Sequence, residues 1–155
     1  MAQTIDTSTF IEGGIGMNFA DRICAEIKKK QSHAVIGLDP VIERLPAFIL
    51  DEAEQNYGKN DEGAAAAFIA FNRFIIDTVA PYVAIVKPQL AYYEVYGAAG
   101  IDAYWQTVNY AQQKGLIVIA DAKRGDIDST ASAYARSFFG DASNEWQTPK
   151  KVDSL

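Results

Sequence analysis

Short unbroken apolar runs alternate along this chain with longer stretches in which apolar residues recur every three or four positions. The runs are Ala34–Leu38 (AVIGL), Val83–Val86 (VAIV) and Ile117–Ala120 (IVIA). Each is too short for a helix and apolar on both faces, as a strand buried in a parallel sheet must be. The spaced stretches predict helices. Phe19, Ile23 and Ile27 line one face of a segment beginning at Met17, and Lys28–Lys30 close it where positive charge suits the carbonyl end of a helix. From about Glu62 to Thr78, the residues Phe68, Phe71, Ile75 and Val79 form a buried stripe, Ala64–Ala67 add helix propensity, and Asp61 stands ready as the cap. A further helix spans about Ile101 to Lys114, with Gly115 as its C-terminal cap. Ser129–Phe139 carries Ala133, Ala135 and Phe138 among small polar neighbours before Gly140 ends it.

The remaining segments are connections. Val41 to Asn60 has some helical content and finishes in the turn residues Gly58 and Asn60. Leu90 to Gly100 (LAYYEVYGAAG) reads as turn-rich, with tyrosines that either line a mouth or pack beneath the next helix. Strand, helix, strand, helix, strand, helix is the signature of a parallel α/β sheet with right-handed crossovers.

Composition narrows the function classes. A chain of 155 residues, 49% apolar and 22% charged, suits one globular domain. The net charge of −6 argues against a nucleic-acid surface, whereas a small anionic substrate needs only a local basic pocket. No apolar run is long enough to cross a membrane. Met1–Gly16 is polar and reads as a loose extension; it lacks the basic region and apolar core of a secretory signal, which makes a cytoplasmic location the default expectation. Cys24 and His33 are each alone, which excludes an internal disulfide and multi-cysteine or multi-histidine metal sites. His33 is expected to be an ordinary residue flanking a strand.

Candidate chemistry sits where the apolar runs stop. The first ends at Asp39 and Pro40, the second at Lys87, Pro88 and Gln89, and the third at Asp121, Lys123 and Arg124, with Gly125 and Asp126 in the following turn. Proline cannot continue a central strand, so Asp39 marks the end of the sheet there. On an extended backbone Asp121 and Lys123 project to the same side. A lysine between two carboxylates, Asp121 and Asp126, is held protonated and suits a proton donor; the plainer reading is a solvated turn with an ordinary ion pair. Arg124 lies off that side and is expected to make a surface ion pair. Ligands in parallel α/β folds bind at the C-terminal strand ends, and three such ends carrying complementary charge favour a site.

GLDP at Gly37–Pro40, VKPQ at Val86–Gln89 and DAKRGDI at Asp121–Ile127 together resemble the orotidine 5'-phosphate decarboxylase family, in its longer bacterial branch. MNFADRI at Met17–Ile23 resembles the start of proteins in that branch. The resemblance implies a parallel (β/α)8 barrel acting as a homodimer on orotidine 5'-phosphate to give UMP, with no metal or organic cofactor. It further implies that Lys123 protonates C6 of the pyrimidine and that Asp121 sits against the departing carboxylate. Lys87 extends the charge network, Asp126 completes it in the partner subunit, and Asp39 binds the ribose. Ile127 and Thr130 reach into the neighbouring site. A sister family, the hexulose-phosphate synthases, shares the DxKxxD pattern but binds a metal partly through an acidic residue on the second strand, where this chain has Lys87. A Schiff-base sugar-phosphate aldolase using Lys87 or Lys123 is a further alternative.

A complete barrel takes about 250 residues and eight strands, with phosphate held after the seventh and eighth. Residues 17–155 are accordingly expected to form the first three βα units of a barrel, with Val152–Leu155 opening a fourth strand. An open sheet of that kind would expose an unpaired edge, and a fragment without catalytic activity is the non-enzymatic alternative.

Overall fold

A computed structural model of the chain describes residues 17–139. The expected N-terminal extension, the Gly140 stop and the fourth strand at Val152–Leu155 lie outside the described residues. Three parallel strands, β1 (Val35–Leu38), β2 (Ile85–Pro88) and β3 (Ile117–Val118), form one sheet in the order β1-β2-β3. Val35 pairs with Ile85 and Leu38 with Pro88, while Ile85 pairs with Ile117. The ladder persists beyond β3, because Ile119 donates to the Val86 carbonyl (2.9 Å) and Asp121 to that of Pro88 (3.2 Å). It closes where Leu90 donates to the Asp121 carbonyl (3.1 Å).

Helices cover the sheet from both sides. Helix α1 (Phe19–Lys30) turns Phe19, Ile23 and Ile27 onto Ala84, Ile85 and Ile117. Its cap is reciprocal: the Asp21 N–H donates to the Asn18 side chain (2.9 Å) and the Asn18 amide to the Asp21 carboxylate (2.8 Å). On the other side lie α3 (Asp61–Val79) and α5 (Gly97–Gln113), with α2 (Ala47–Tyr57) packed on α3. The core between these helices and the strands centres on Phe68, Tyr93 and Tyr104, each fully buried. Tyr93 meets Phe68 and Tyr104 edge to face, at 5.7 and 5.4 Å between ring centroids. That geometry sets the positive ring edge against the negative face.

Several expectations change. Asn60, not Asp61, caps α3: its extended backbone lets its Oδ1 accept from the Gly63 N–H at 2.8 Å, while Asp61 is already helical. The α3 residues with least exposure include Phe68, Asn72 and Ile76, whereas Phe71, Ile75 and Val79 are only partly covered. Burial there is decided by α2 and α5 on two sides, which rotates the covered stripe. The first connection holds a full helix, α2, after a 3₁₀ turn at Ile42–Arg44. The second holds α4 (Leu90–Glu94), and α5 starts four residues earlier than its periodicity indicates. Gly97 makes this early start possible with φ +54°, a left-handed conformation that glycine adopts without Cβ strain. β1 is not buried on both faces: Val35 is 43% exposed. Among the described residues β1 pairs only with β2, and α1 covers β2 and β3 instead.

Candidate active site

Strand alternation decides which side chains meet. Leu38, Val86 and Val118 enter the core under α3 and α5, whereas Ile85, Ile117 and Ile119 face α1. Two residues further along the second face come Lys87 and Asp121, and Asp39 follows Leu38 to the same face. The parallel register then sets the three strand ends side by side. Lys87 Nζ lies 3.3 Å from Asp121 Oδ2 and 3.9 Å from Asp39 Oδ1. The other oxygen of Asp121 pairs with Lys123. An alternating chain, Asp39–Lys87–Asp121–Lys123, therefore runs across the sheet in strand order.

Asp121 is the hub of this chain. Its side chain is only 14% exposed, against 82% for Lys123, and each of its oxygens faces an ammonium group. The bond from Lys123, reinforced by that from Lys87, holds the Asp121 carboxyl below the usual carboxylate range despite the opposing effect of desolvation. Within this chain the lysine lying between two carboxylates is Lys87, flanked by Asp39 and Asp121, while Lys123 pairs with Asp121. Asp126 lies past the strand end, in the irregular segment 122–127, where its Oδ1 accepts from the Ile127 N–H at 2.8 Å. Among the described residues Asp126 makes no ion pair. Ile127 is 75% exposed and Thr130 is also exposed, near the start of α6 (Asp128–Phe139).

Arg124 makes the expected surface ion pair, with Glu94. It also donates to the Lys123 carbonyl (3.0 Å) and sits 5.8 Å from the Tyr134 ring, tying α4 and α6 to the segment that carries Lys123. Sequence reasoning missed a buried polar group just behind Asp39. Tyr93 donates to the Leu38 carbonyl (3.1 Å), and Asn72 donates to the Tyr93 hydroxyl (2.9 Å) and to Thr107 Oγ1 (3.1 Å). The available signal was Asn72 itself, a polar residue at helical spacing between Phe68 and Ile76.

The four charges lie at the C-terminal strand ends, beyond the residues that α1 covers; the larger grooves are elsewhere. One of about 530 Å³ runs between α2, α3 and α5, lined by residues such as Ala65, Ala70 and Arg73. Among the described residues no three His, Cys, Asp or Glu side chains are grouped to hold a metal ion. The two carboxylates at this site are separated by the Lys87 ammonium, a donor set unsuited to a shared cation.

Residues 68–148 match the family model described as orotidine 5'-phosphate decarboxylase / HUMPS family. The chain belongs to that family. An orotidine 5'-phosphate decarboxylase of Rhodopirellula baltica is 41% identical over 139 residues, covering 90% of this chain and 45% of the relative. The enzyme of the same name from Parabacteroides distasonis is 43% identical over 115 residues, covering 73% and 37%. The chain thus spans less than half the length of these curated relatives. Among solved structures, the OMP decarboxylase of Leishmania donovani superposes with a TM-score of 0.59 at 32% identity, over 79% of this chain and 40% of that one. The UMP synthase of the same organism gives 0.60 at 32% identity, over 79% and 22%. These neighbours are barrels of the TIM type, and the three-stranded sheet with its helices corresponds to part of such a barrel.

Proposed function

We propose that this chain supplies the first three βα units of a (β/α)8 barrel that decarboxylates orotidine 5'-phosphate to UMP, and that Lys123 is its proton donor. The observation that carries this reading is the alternating chain Asp39–Lys87–Asp121–Lys123 at the C-terminal strand ends. Loss of carbon dioxide leaves an electron pair on C6 of the pyrimidine. A fixed ammonium opposite that carbon stabilises the developing charge without reorganising, and then delivers its proton there. Asp121 orients Lys123 through their ion pair and would sit against the departing carboxylate. Lys87 spaces Asp121 from Asp39, which leaves Asp39 free to accept from the ribose hydroxyls.

The working assembly in this reading is a cytoplasmic homodimer. Asp126 has no cationic partner within its own chain among the described residues, and Ile127, followed by Thr130, presents an apolar side chain to solvent. Both features suit a turn that completes the site of a neighbouring subunit. An aldolase that forms a Schiff base fits less well, since both lysine nitrogens are engaged by carboxylates instead of standing free to attack a carbonyl. A metal-dependent hexulose-phosphate synthase would need an acidic residue where Lys87 stands.

The test is the fall in orotidine 5'-phosphate absorbance with the purified chain beside Lys123→Ala prepared identically. Turnover lost in the variant, by roughly a thousandfold or more for removal of a proton donor and its charge, supports the reading. Turnover that survives Lys123→Ala refutes the role of Lys123. If neither protein turns over, residues from later strands supplied in trans should restore the difference; failure there as well refutes the decarboxylase reading.

A further inference from the structure

Asn72, Tyr93 and Thr107 form a polar cluster where the chain is otherwise apolar; none is more than 2% exposed. Burying three such groups is unfavourable unless their bonds are satisfied, and the way they are satisfied points in one direction. Thr107 donates to the Ala103 carbonyl on its own helix (2.8 Å) and so presents only acceptor capacity to Asn72. Tyr93 gives its proton to the Leu38 carbonyl (3.1 Å), so its hydroxyl too can only accept from Asn72. The Asn72 amide must therefore turn its NH₂ toward both hydroxyls, which leaves Asn72 Oδ1 buried without a partner. Orienting the Tyr93 hydroxyl costs one unsatisfied acceptor.

What that hydroxyl holds is the last peptide of β1. Leu38 is paired in register with Pro88 in the last pair of the β1–β2 ladder, and Pro40, two residues on, cannot continue it. The peptide leading into Asp39 is thus held by a side chain from α4 at the point where the ladder stops. Asp39 itself is 41% exposed on its side chain and touches Lys87 only at 3.9 Å, so its placement depends on its backbone more than on its own contacts.

We infer that Tyr93, oriented by Asn72 and Thr107, is a positioning residue that sets the Leu38–Asp39 backbone and thereby holds the Asp39 carboxylate beside Lys87. The consequence for substrate binding rests on the reading of Asp39 proposed above; the placement of Asp39 does not.

The test reads Asp39 directly in the full 155-residue chain. Replacing Lys87 by Met removes the neighbouring ammonium and shifts the ¹³C signal of the Asp39 carboxyl carbon. In a Tyr93→Phe background that response is expected to fall roughly twofold or more, because the two positions are coupled through the Leu38 peptide. Val108→Ala, a core truncation on α5 outside the polar cluster, serves as the control: it lowers stability but leaves the response unchanged. An undiminished response in Tyr93→Phe overturns the inference and leaves Tyr93 a structural residue. Should Tyr93→Phe not fold, Thr107→Val takes its place, with a smaller loss in the same direction expected and no loss overturning it. With turnover established, Tyr93→Phe should also raise KM about tenfold with kcat nearly unchanged. Absence of turnover even with the later strands supplied in trans counts against the decarboxylase reading alone, since the carboxyl signal decides the placement of Asp39.

Discussion

Replacing Gly100 by Ala sets two effects of known sign against each other, and the structure says which wins. Gly100 lies inside α5, where alanine gains about 1 kcal/mol over glycine in helix propensity. A Cβ built there would lie 1.8 Å from the Tyr93 carbonyl oxygen and 2.9 Å from its carbon, whereas real Cβ contacts are essentially never closer than 3.0 Å. The α4 backbone would have to retreat by about 1.2 Å, and the obstacle is main chain with no rotamer to turn aside. Overpacking of this kind costs about 1–3 kcal/mol, and moving Tyr93 also weakens its buried bond to Leu38, for a further 1–3 kcal/mol. Allowing for the propensity gain, the expected net loss is about 1–5 kcal/mol, or roughly 3–15 °C in Tm for a domain of this size. Urea unfolding followed by circular dichroism measures it. Gly97 supplies the contrast: nothing lies within 4 Å of its Cβ position, but its φ is +54°. Alanine there should cost about 1–2 kcal/mol from backbone strain, and asparagine should recover part of it. Gly100→Ala as stable as the parent, or more so, would refute the claim that close approach of α4 and α5 requires this glycine.

Three further outcomes are expected. Because its two lysine partners depress its titration in the folded state, Asp121 contributes stability that is fully present above the unfolded carboxylate value of about 3.9 and is lost as pH falls through the lower folded value. Lys123→Met should raise the midpoint of Asp121, read by its carboxyl ¹³C signal, more than Lys87→Met does; the reverse order would show that the closer but more exposed pair is screened by solvent. Asn60→Ala, which removes the cap of α3, should cost about 1 kcal/mol in urea unfolding, while Asp61→Ala should cost clearly less. Ile127→Lys should leave the unfolding midpoint nearly unchanged, since the side chain is exposed, yet abolish any concentration-dependent dimer seen by sedimentation. A dimer that persists would remove Ile127 from the subunit contact.

The sequence by itself determined the three strands, helices α1, α3 and α6 and most of α5, and the charged residues that follow each strand. A run such as VAIV is too short to be a helix and too apolar to be a loop, and the charged residues directly after each run had to emerge at the strand ends. The spacing of Asp121 and Lys123 likewise placed them on one side, because a two-residue period is a local property of extended backbone.

Tertiary structure decided everything that depends on a neighbour distant in sequence. Which lysine stands between two carboxylates follows from the parallel register of β1 and β2, and that register brings together residues far apart in the chain. Asp126 instead accepts from the Ile127 N–H beyond the strand end, which left Lys123 with Asp121. Helix α2 and the early start of α5 escaped periodicity because short helices are stabilised by the surfaces they cover more than by their own propensity. The buried cluster of Asn72, Tyr93 and Thr107 was the least legible of all, since a polar residue in a core becomes intelligible only when its partners, contributed by three different helices and a strand end, are in place.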